Sequence, residues 1–217
     1  MFADRREAGR LLAGALTRYA GTDPIVLGLP RGGVPVADEV AELLGGTLDV
    51  WVTRKLGVPG HEELGMGAVS EGPAVVIEHG IVDPLCISRE QIFAVAHREI
   101  AELRRRVQRF RPGGEMPRLA GRTVILVDDG IATGGTVRAA IHGVKKAGPA
   151  RVVLAVPVAP PEVVAALRPE VDDLVCLRQP PDLMAIGLWY EDFRQVSDDE
   201  VVHILERRRA QSAAARA

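Results

Sequence analysis

The sequence predicts an α/β protein, a mostly parallel open sheet flanked by helices and interrupted by one inserted long helix. Three observations carry this expectation. Short apolar runs alternate with segments of helical period along most of the chain. Two of these runs end in glycine-rich loops that open onto helices, at residues 25–44 and 124–144. Units of this kind build parallel sheets, and ligands bind at the carboxyl ends of their strands. The 217 residues suffice for one sizeable core, so residues 1–210 read as a single domain and 211–217 as a frayed tail.

Composition narrows the function classes. An apolar fraction of 47% with 26% charged residues is that of an ordinary globular protein. Lys+Arg 27 against Asp+Glu 29 leaves a net charge of -2, so nucleic acid is not an expected partner. No run reaches the length of a membrane span, and the first residues lack a signal-peptide core, so the expected setting is cytoplasmic. Cys86 and Cys176 stand alone and read as small buried apolar residues. The five histidines show no zinc-ligand spacing.

The elements follow in order. Residues 4–19 form an amphipathic helix, with Asp4 as its cap and Leu11, Leu12, Ala15, Leu16 and Tyr19 on its apolar side. Residues 25–29 are a buried strand, 30–33 a loop and 34–44 a helix. Gly45-Gly46 ends that helix, and 48–53 is the next strand, with Arg54 and Lys55 at its end. Residues 56–67 hold four glycines and no period, so 54–72 reads as a mobile lid loop. Short strands at 68–69 and 74–78 flank a turn at Glu71-Gly72-Pro73. Ser88 and Gln91 form a capping box at the head of the inserted helix 88–110, whose stripe is Ile92, Ala96, Ile100, Leu103 and Val107. The arginines on its other faces read as solvated, with RNA or an anionic substrate as the alternative. The narrow stripe suits packing on one side, with a second copy of the chain as a candidate partner. Residues 111–121 are a linker. Strands at 152–156 and 174–177 enclose a short helix ending at Leu167. An apolar segment, 183–193, precedes a last helix beginning at Ser197, with Glu200 in a second capping box.

The stretch around which the rest is arranged is Val-Ile-Leu-Val-Asp-Asp-Gly-Ile-Ala-Thr-Gly-Gly-Thr, residues 124–136. It reads as a buried strand, two acids at its end, a glycine-rich loop, and a helix N-terminus whose unpaired N–H groups attract phosphate. The P-loop pattern is excluded because no lysine follows Gly134, and the dinucleotide fingerprint is absent. A hairpin turn at Asp129-Gly130 is the rival, opposed by the helical period that follows.

This stretch closely resembles the ribose-phosphate motif of the type I phosphoribosyltransferases. The resemblance implies their fold, with a C-terminal hood segment at 179–195. It also implies that Asp128 and Asp129 hold the ribose hydroxyls of phosphoribosyl pyrophosphate (PRPP), and that Gly130, Ala132, Thr133, Gly134, Gly135 and Thr136 surround its 5-phosphate. Magnesium would arrive on pyrophosphate, with Asp128 or Asp129 contributing directly or through water. Arg31, Gly32 and Gly33 fall where the family places its pyrophosphate loop. Arg54 and Lys55 resemble the Arg-Lys that opens the catalytic loop of adenine phosphoribosyltransferases. Residues 183–193 resemble the base-binding segment of the hypoxanthine-guanine enzymes, which makes Met184, Ile186 and Trp189 base-site candidates; an apolar strand with Trp189 and Tyr190 in the core is the competing reading.

Signals for the acceptor base conflict. Hypoxanthine-guanine enzymes carry an acid where this chain has Ala132, and alanine there resembles the adenine enzymes. The central strand with Thr-Val-Arg-Ala-Ala after it also resembles uracil phosphoribosyltransferases that double as pyrimidine attenuation regulators. The resemblance spans residues 25–195 in order and is tight only at 124–136. It implies transfer of a phosphoribosyl group to a nucleobase-like acceptor, with a PRPP- or nucleotide-sensing regulator of the same fold as the alternative. A phosphohydrolase using Asp128 or Asp129 as nucleophile lacks the partners it would need. Helix 88–110 is a departure from compact family members.

Overall fold

A computed structural model describes residues 1–72, 74–113 and 115–214. In order the chain forms α1 (Arg5–Ala15), β1 (Ile25–Gly28), α2 (Gly33–Leu44), β2 (Thr47–Val50), β3 (Thr53–Val58), β4 (His61–Ser70), β5 (Ala74–Ile77) and a short α3 (His79–Val82). It continues with α4 (Arg89–Phe110), β6 (Thr123–Val127), α5 (Gly135–Lys146), β7 (Arg151–Val158), α6 (Pro161–Leu167), β8 (Asp173–Arg178) and α7 (Asp198–Ala214). The main sheet is wholly parallel, in the order β2-β1-β6-β7-β8. Its central strands are buried on both faces, which is why they read as unbroken apolar runs. One face packs Val26, Ile125 and Val153 against α1, α2 and α7; the other packs Leu27, Leu126 and Leu154 against α5 and α6. The α/β sheet with flanking helices is therefore as expected. Strands β1 and β6 are neighbours in the sheet although most of the first half of the chain lies between them.

Caps explain the helix starts. Asp4 accepts from Glu7 N at the head of α1, and Ser88 with Gln91 closes the capping box of α4. Ser197 Oγ accepts from Glu200 N at the head of α7.

Four expectations are corrected. The strand expected at 48–53 ends at Val50; the chain leaves the main sheet through Trp51-Val52, and β3 begins a separate sheet at Thr53. The lid expected as a loop over 54–72 is the antiparallel hairpin β3–β4, turning at Pro59-Gly60, with β5 added beyond it. Its glycines hide the strand period yet permit the pairing: a Cβ on Gly57 would lie 2.5 Å from Glu62 O, and one on Gly67 2.2 Å from Val76 O. The register shifts on either side of Gly57, as at a bulge. Cys86 is exposed and so is not a core residue, whereas Cys176 is half-buried at the edge of the core that holds Leu154 and Val156, its Sγ 3.1 Å from Arg178 O. The tail stays helical through Ala214, because alanine-rich sequence extends a helix without packing; residues 215–217 lie outside the described residues. The turn at 71–73 and the linker at 111–121 each contain one position outside them, Pro73 and Gly114.

The inserted helix α4 packs on β3, β4 and α7. Val95, Ala96, Leu103 and Phe110 are its buried residues, with Ile92, Ile100 and Val107 half-buried beside them. At its end Arg111, expected in a linker, is buried: it bonds Asp49 at 3.1 Å, Glu71 at 3.0 Å and Val50 O at 3.1 Å. Glu71 Oε2 in turn accepts from Val52 N. This cluster joins the main sheet, the hairpin base and α4.

Candidate functional site

The carboxyl ends of β1 and β6 lie side by side, and each opens into a loop. Leu29 N bonds Val127 O at 2.8 Å, which brings residues 30–33 against the two acids that follow β6. The Pro30–Arg31 peptide is cis. Glycine is required in this loop by close approach. A Cβ on Gly32 would sit 1.9 Å from Asp129 Oδ2, and one on Gly33 2.6 Å from Val127 O and 2.8 Å from Asp128 Cα.

Asp128 Oδ1 accepts from Asp129 N at 2.9 Å. Asp129 Oδ2 accepts from Arg5 Nε at 2.7 Å. Burial pushes the Asp128 carboxyl well above the usual range, and the charge of Asp129 adds to the rise. Burial raises Asp129 as well, with the Arg5 guanidinium opposing it. The pair is held from behind by Tyr190, whose hydroxyl donates to Asp129 O at 2.6 Å and whose ionisation is pushed up, chiefly by burial.

The loop after the acids ends at Gly134, with φ +84° in the left-handed region, and α5 begins at Gly135. Ala132, Thr133 and Thr136 are exposed around that N-terminus. Thr133, Gly135, Thr136 and Arg138 form one wall of a cleft of about 510 Å³, and Lys55, Glu63 and Gly65 of the hairpin form the opposite wall. Lys55 Nζ donates to Glu63 O across the hairpin at 2.5 Å. Arg138 is ion-paired with Glu170 at 2.7 Å and with Glu78, another residue of this cleft, at 3.5 Å.

The structure brings Asp128, Asp129, Gly130, Arg31, Gly32 and Gly33 into one region, and Lys55 opposite residues 132–136. Arg54 is turned the other way: adjacent strand residues face opposite sides, and its Nε and Nη2 both bond Glu99 Oε2 of α4, at 3.0 and 2.7 Å. Of the base-site candidates, Ile186 lies against Gly130, where a Cβ would come within 2.5 Å of Ile186 Cγ2. Met184 is 88% exposed and joins no apolar cluster. Trp189 is not buried in the core as the competing reading has it; it is exposed on one side and packs at the margin of the small cluster of Phe2 and Tyr190. His61 is exposed in the hairpin.

Sequence reasoning missed that the hood is built from both ends of the domain. Phe2 N bonds Trp189 O at 2.8 Å, Glu191 N bonds Phe2 O at 2.8 Å, and Asp192 N bonds Ala3 O at 2.9 Å. This pairing places Arg5 over the Phe193 ring at 3.9 Å, with Nη1 on Arg194 O at 2.9 Å. A second pocket of about 360 Å³ is lined by Arg5, Arg31, Gly32, Asp129, Phe193 and Gln195. Only the burial of Arg5, invisible in a one-dimensional reading, marks it out.

Among the described residues no group of three or more acidic, histidine or cysteine side chains could hold a metal ion by itself. The donor set does fit magnesium carried by a ligand: Asp128 Oδ2 and Asp129 Oδ1 have no hydrogen bond among the described residues, and hard oxygens on a strand end suit a cation that retains most of its water and phosphate ligands. No described helix is long and apolar enough to cross a membrane.

Comparison with known proteins shows the family and the fold. The family model of the phosphoribosyl transferase domain matches residues 4–179. A Mycobacterium tuberculosis protein, whose name carries a proposed phosphoribosyl transferase activity, is 46% identical over 207 residues, which is 95% of this chain and 47% of that protein. The chain thus spans about half the length of the curated relatives it matches. The crystal structure of TT1426 from Thermus thermophilus is 45% identical with a TM-score of 0.80, covering 95% of this chain and 98% of that one. A purine phosphoribosyltransferase from Pyrococcus horikoshii is 18% identical with a TM-score of 0.50, covering 89% of this chain and 92% of that one; it shares the fold.

Proposed function

The chain belongs to the phosphoribosyl transferase family, and on that premise we propose that it moves the 5-phosphoribosyl group of PRPP to a nucleobase or related nitrogen acceptor, releasing pyrophosphate. The observation that carries this reading is the contact between Gly32 and Asp129. It joins a loop suited to pyrophosphate and a carboxylate suited to ribose in one floor, which matches a sugar anchored at both ends better than a lone phosphate.

The reaction breaks the bond from the anomeric carbon to pyrophosphate, and positive charge builds on the sugar. Asp128 and Asp129 accept from the two ribose hydroxyls and fix the ring. Residues 130 and 132–136 hold the 5-phosphate with backbone N–H groups and the threonine hydroxyls. Residues 31–33 hold the departing pyrophosphate, and Lys55, on the hairpin wall of the cleft, adds charge when the hairpin closes and expels water. Magnesium, held by phosphate oxygens and by Asp128 or Asp129, supplies charge neutralisation of the leaving group when bound. Ile186 is the favoured base contact, since it lies against the loop; Met184 and Trp189 are secondary.

The test is incubation of the protein with PRPP, magnesium and a panel of nucleobases. Pyrophosphate and a nucleotide are the expected products; absence of PRPP binding at millimolar concentration rejects the reading. The engagement of Arg54 with Glu99 favours a second reading, a PRPP- or nucleotide-sensing regulator with little catalysis. It requires PRPP binding with no turnover on any base. A salt-dependent shift of RNA would add to it. A cytoplasmic setting and a homodimer are further parts of this proposal, to be checked by fractionation and by sedimentation.

A further inference from the structure

We propose that Arg5, from the first turn of α1, is a ligand-binding residue of this site: together with Arg31 it forms a two-guanidinium receptor for the pyrophosphate end of the donor. The proposal rests on the PRPP reading and names a binding group that the motif does not contain.

Position comes first. Arg5 and Arg31 line the same pocket, together with Gly32 and Asp129. The Arg5 side chain is only 10% exposed and is fixed in three ways, by Asp129, by Arg194 O and by the Phe193 ring. Burying a guanidinium this far is costly, and tying the hood to β6 does not need it, because Tyr190 already bonds Asp129 O. The donor fork is not used up: Nη2 has no hydrogen bond among the described residues. Arg31 is also loosely committed, with its nearest carboxylate, Asp198, at 3.6 Å.

Electrostatics gives the reason for a cation here. An oxyanion bound by the backbone of residues 31–33 would lie close to Asp129, since Gly32 packs against that carboxylate. Two carboxylates beside a polyanion repel it strongly in a partly dry cleft. A guanidinium already bonded to Asp129 offsets part of that repulsion and offers its remaining N–H groups to phosphate oxygens.

Calorimetric titration with pyrophosphate plus magnesium, and separately with ribose 5-phosphate, tests this on wild type, Arg5→Gln, Arg5→Lys and Arg31→Gln. Arg5→Gln and Arg31→Gln are expected to weaken pyrophosphate at least about tenfold while ribose 5-phosphate changes less than about twofold. Arg5→Lys, which keeps the charge and loses the fork, is expected to lose a few-fold and carries the test if Arg5→Gln does not fold. A parallel fall in ribose 5-phosphate affinity overturns the proposal and makes Arg5 a positioning residue for Asp129. Unchanged pyrophosphate affinity in Arg5→Gln, with a raised KM for the acceptor alone, also overturns it and puts the anion on the acceptor. Wild type that binds neither ligand rejects the PRPP reading itself.

Discussion

Asp128 is held where a carboxylate is uncomfortable. Its carboxyl is raised by burial and by Asp129, so the folded chain takes up its proton more readily than the unfolded chain does. Stability from such a group is present below the unfolded pKa and is lost as pH rises through the folded one. Asp128→Asn, which does not titrate, is therefore expected to stabilise the fold at neutral pH by about 0.5–2 kcal/mol. The gain should shrink as pH falls into the acid range, as read by thermal melting at several pH values. Binding should move the other way: Asp128→Asn with Asp129→Asn is expected to weaken PRPP at least about tenfold by calorimetry. Gly32→Ala should displace the Asp129 carboxylate and slow transfer by about a hundredfold, with an unchanged far-ultraviolet spectrum. That the two acids stand at a strand end was legible, because the apolar run that makes the strand is next to them in sequence; that Gly32 meets Asp129 was not, because the two sit on loops after different strands. Arg5 was not, since its carboxylate partner lies 124 residues away.

The hairpin of β3 and β4 shows what a pattern reading loses at the scale of an element. Glycines at 57 and 67 remove the apolar alternation that would announce strands, and they do so because each faces a neighbouring backbone. The same closeness makes them sensitive. Gly67→Ala would place a methyl 2.2 Å from Val76 O, and a loss of about 1–3 kcal/mol is expected from urea denaturation. Strand alternation also separates Arg54 from Lys55: one bonds α4, the other faces the cleft. Lys55→Ala should lower the rate of transfer while leaving the melting temperature within about a degree, as exposed side chains outside networks usually do. By contrast α4 was plain in the sequence, since its capping box and stripe are local signals. Its packing partner was not, because a stripe says that a helix is covered and not by what.

For the whole molecule, alternation of strands and helices was enough to give the parallel sheet, and with it the carboxyl edge where the candidate site was expected. It could not show that β3, β4 and β5 leave the main sheet, nor what fastens them to it. Arg111, Asp49 and Glu71 do so from the buried interior. Arg111→Met is expected to cost about 3–5 kcal/mol, since Glu71 would be left buried without a counter-charge and Asp49 with only Arg209, at 3.9 Å. Replacing all three with apolar residues of similar size should cost much less, and chemical denaturation of the two variants decides it. The pairing of Phe2 and Ala3 with residues 189–192 has a consequence for synthesis. The segment that carries Phe2 leaves the ribosome with no partner until nearly the whole domain has followed it, so Arg5 reaches its place beside Phe193 only late in translation. A nascent chain can fold its central sheet early and yet stay without a finished pocket until its hood arrives.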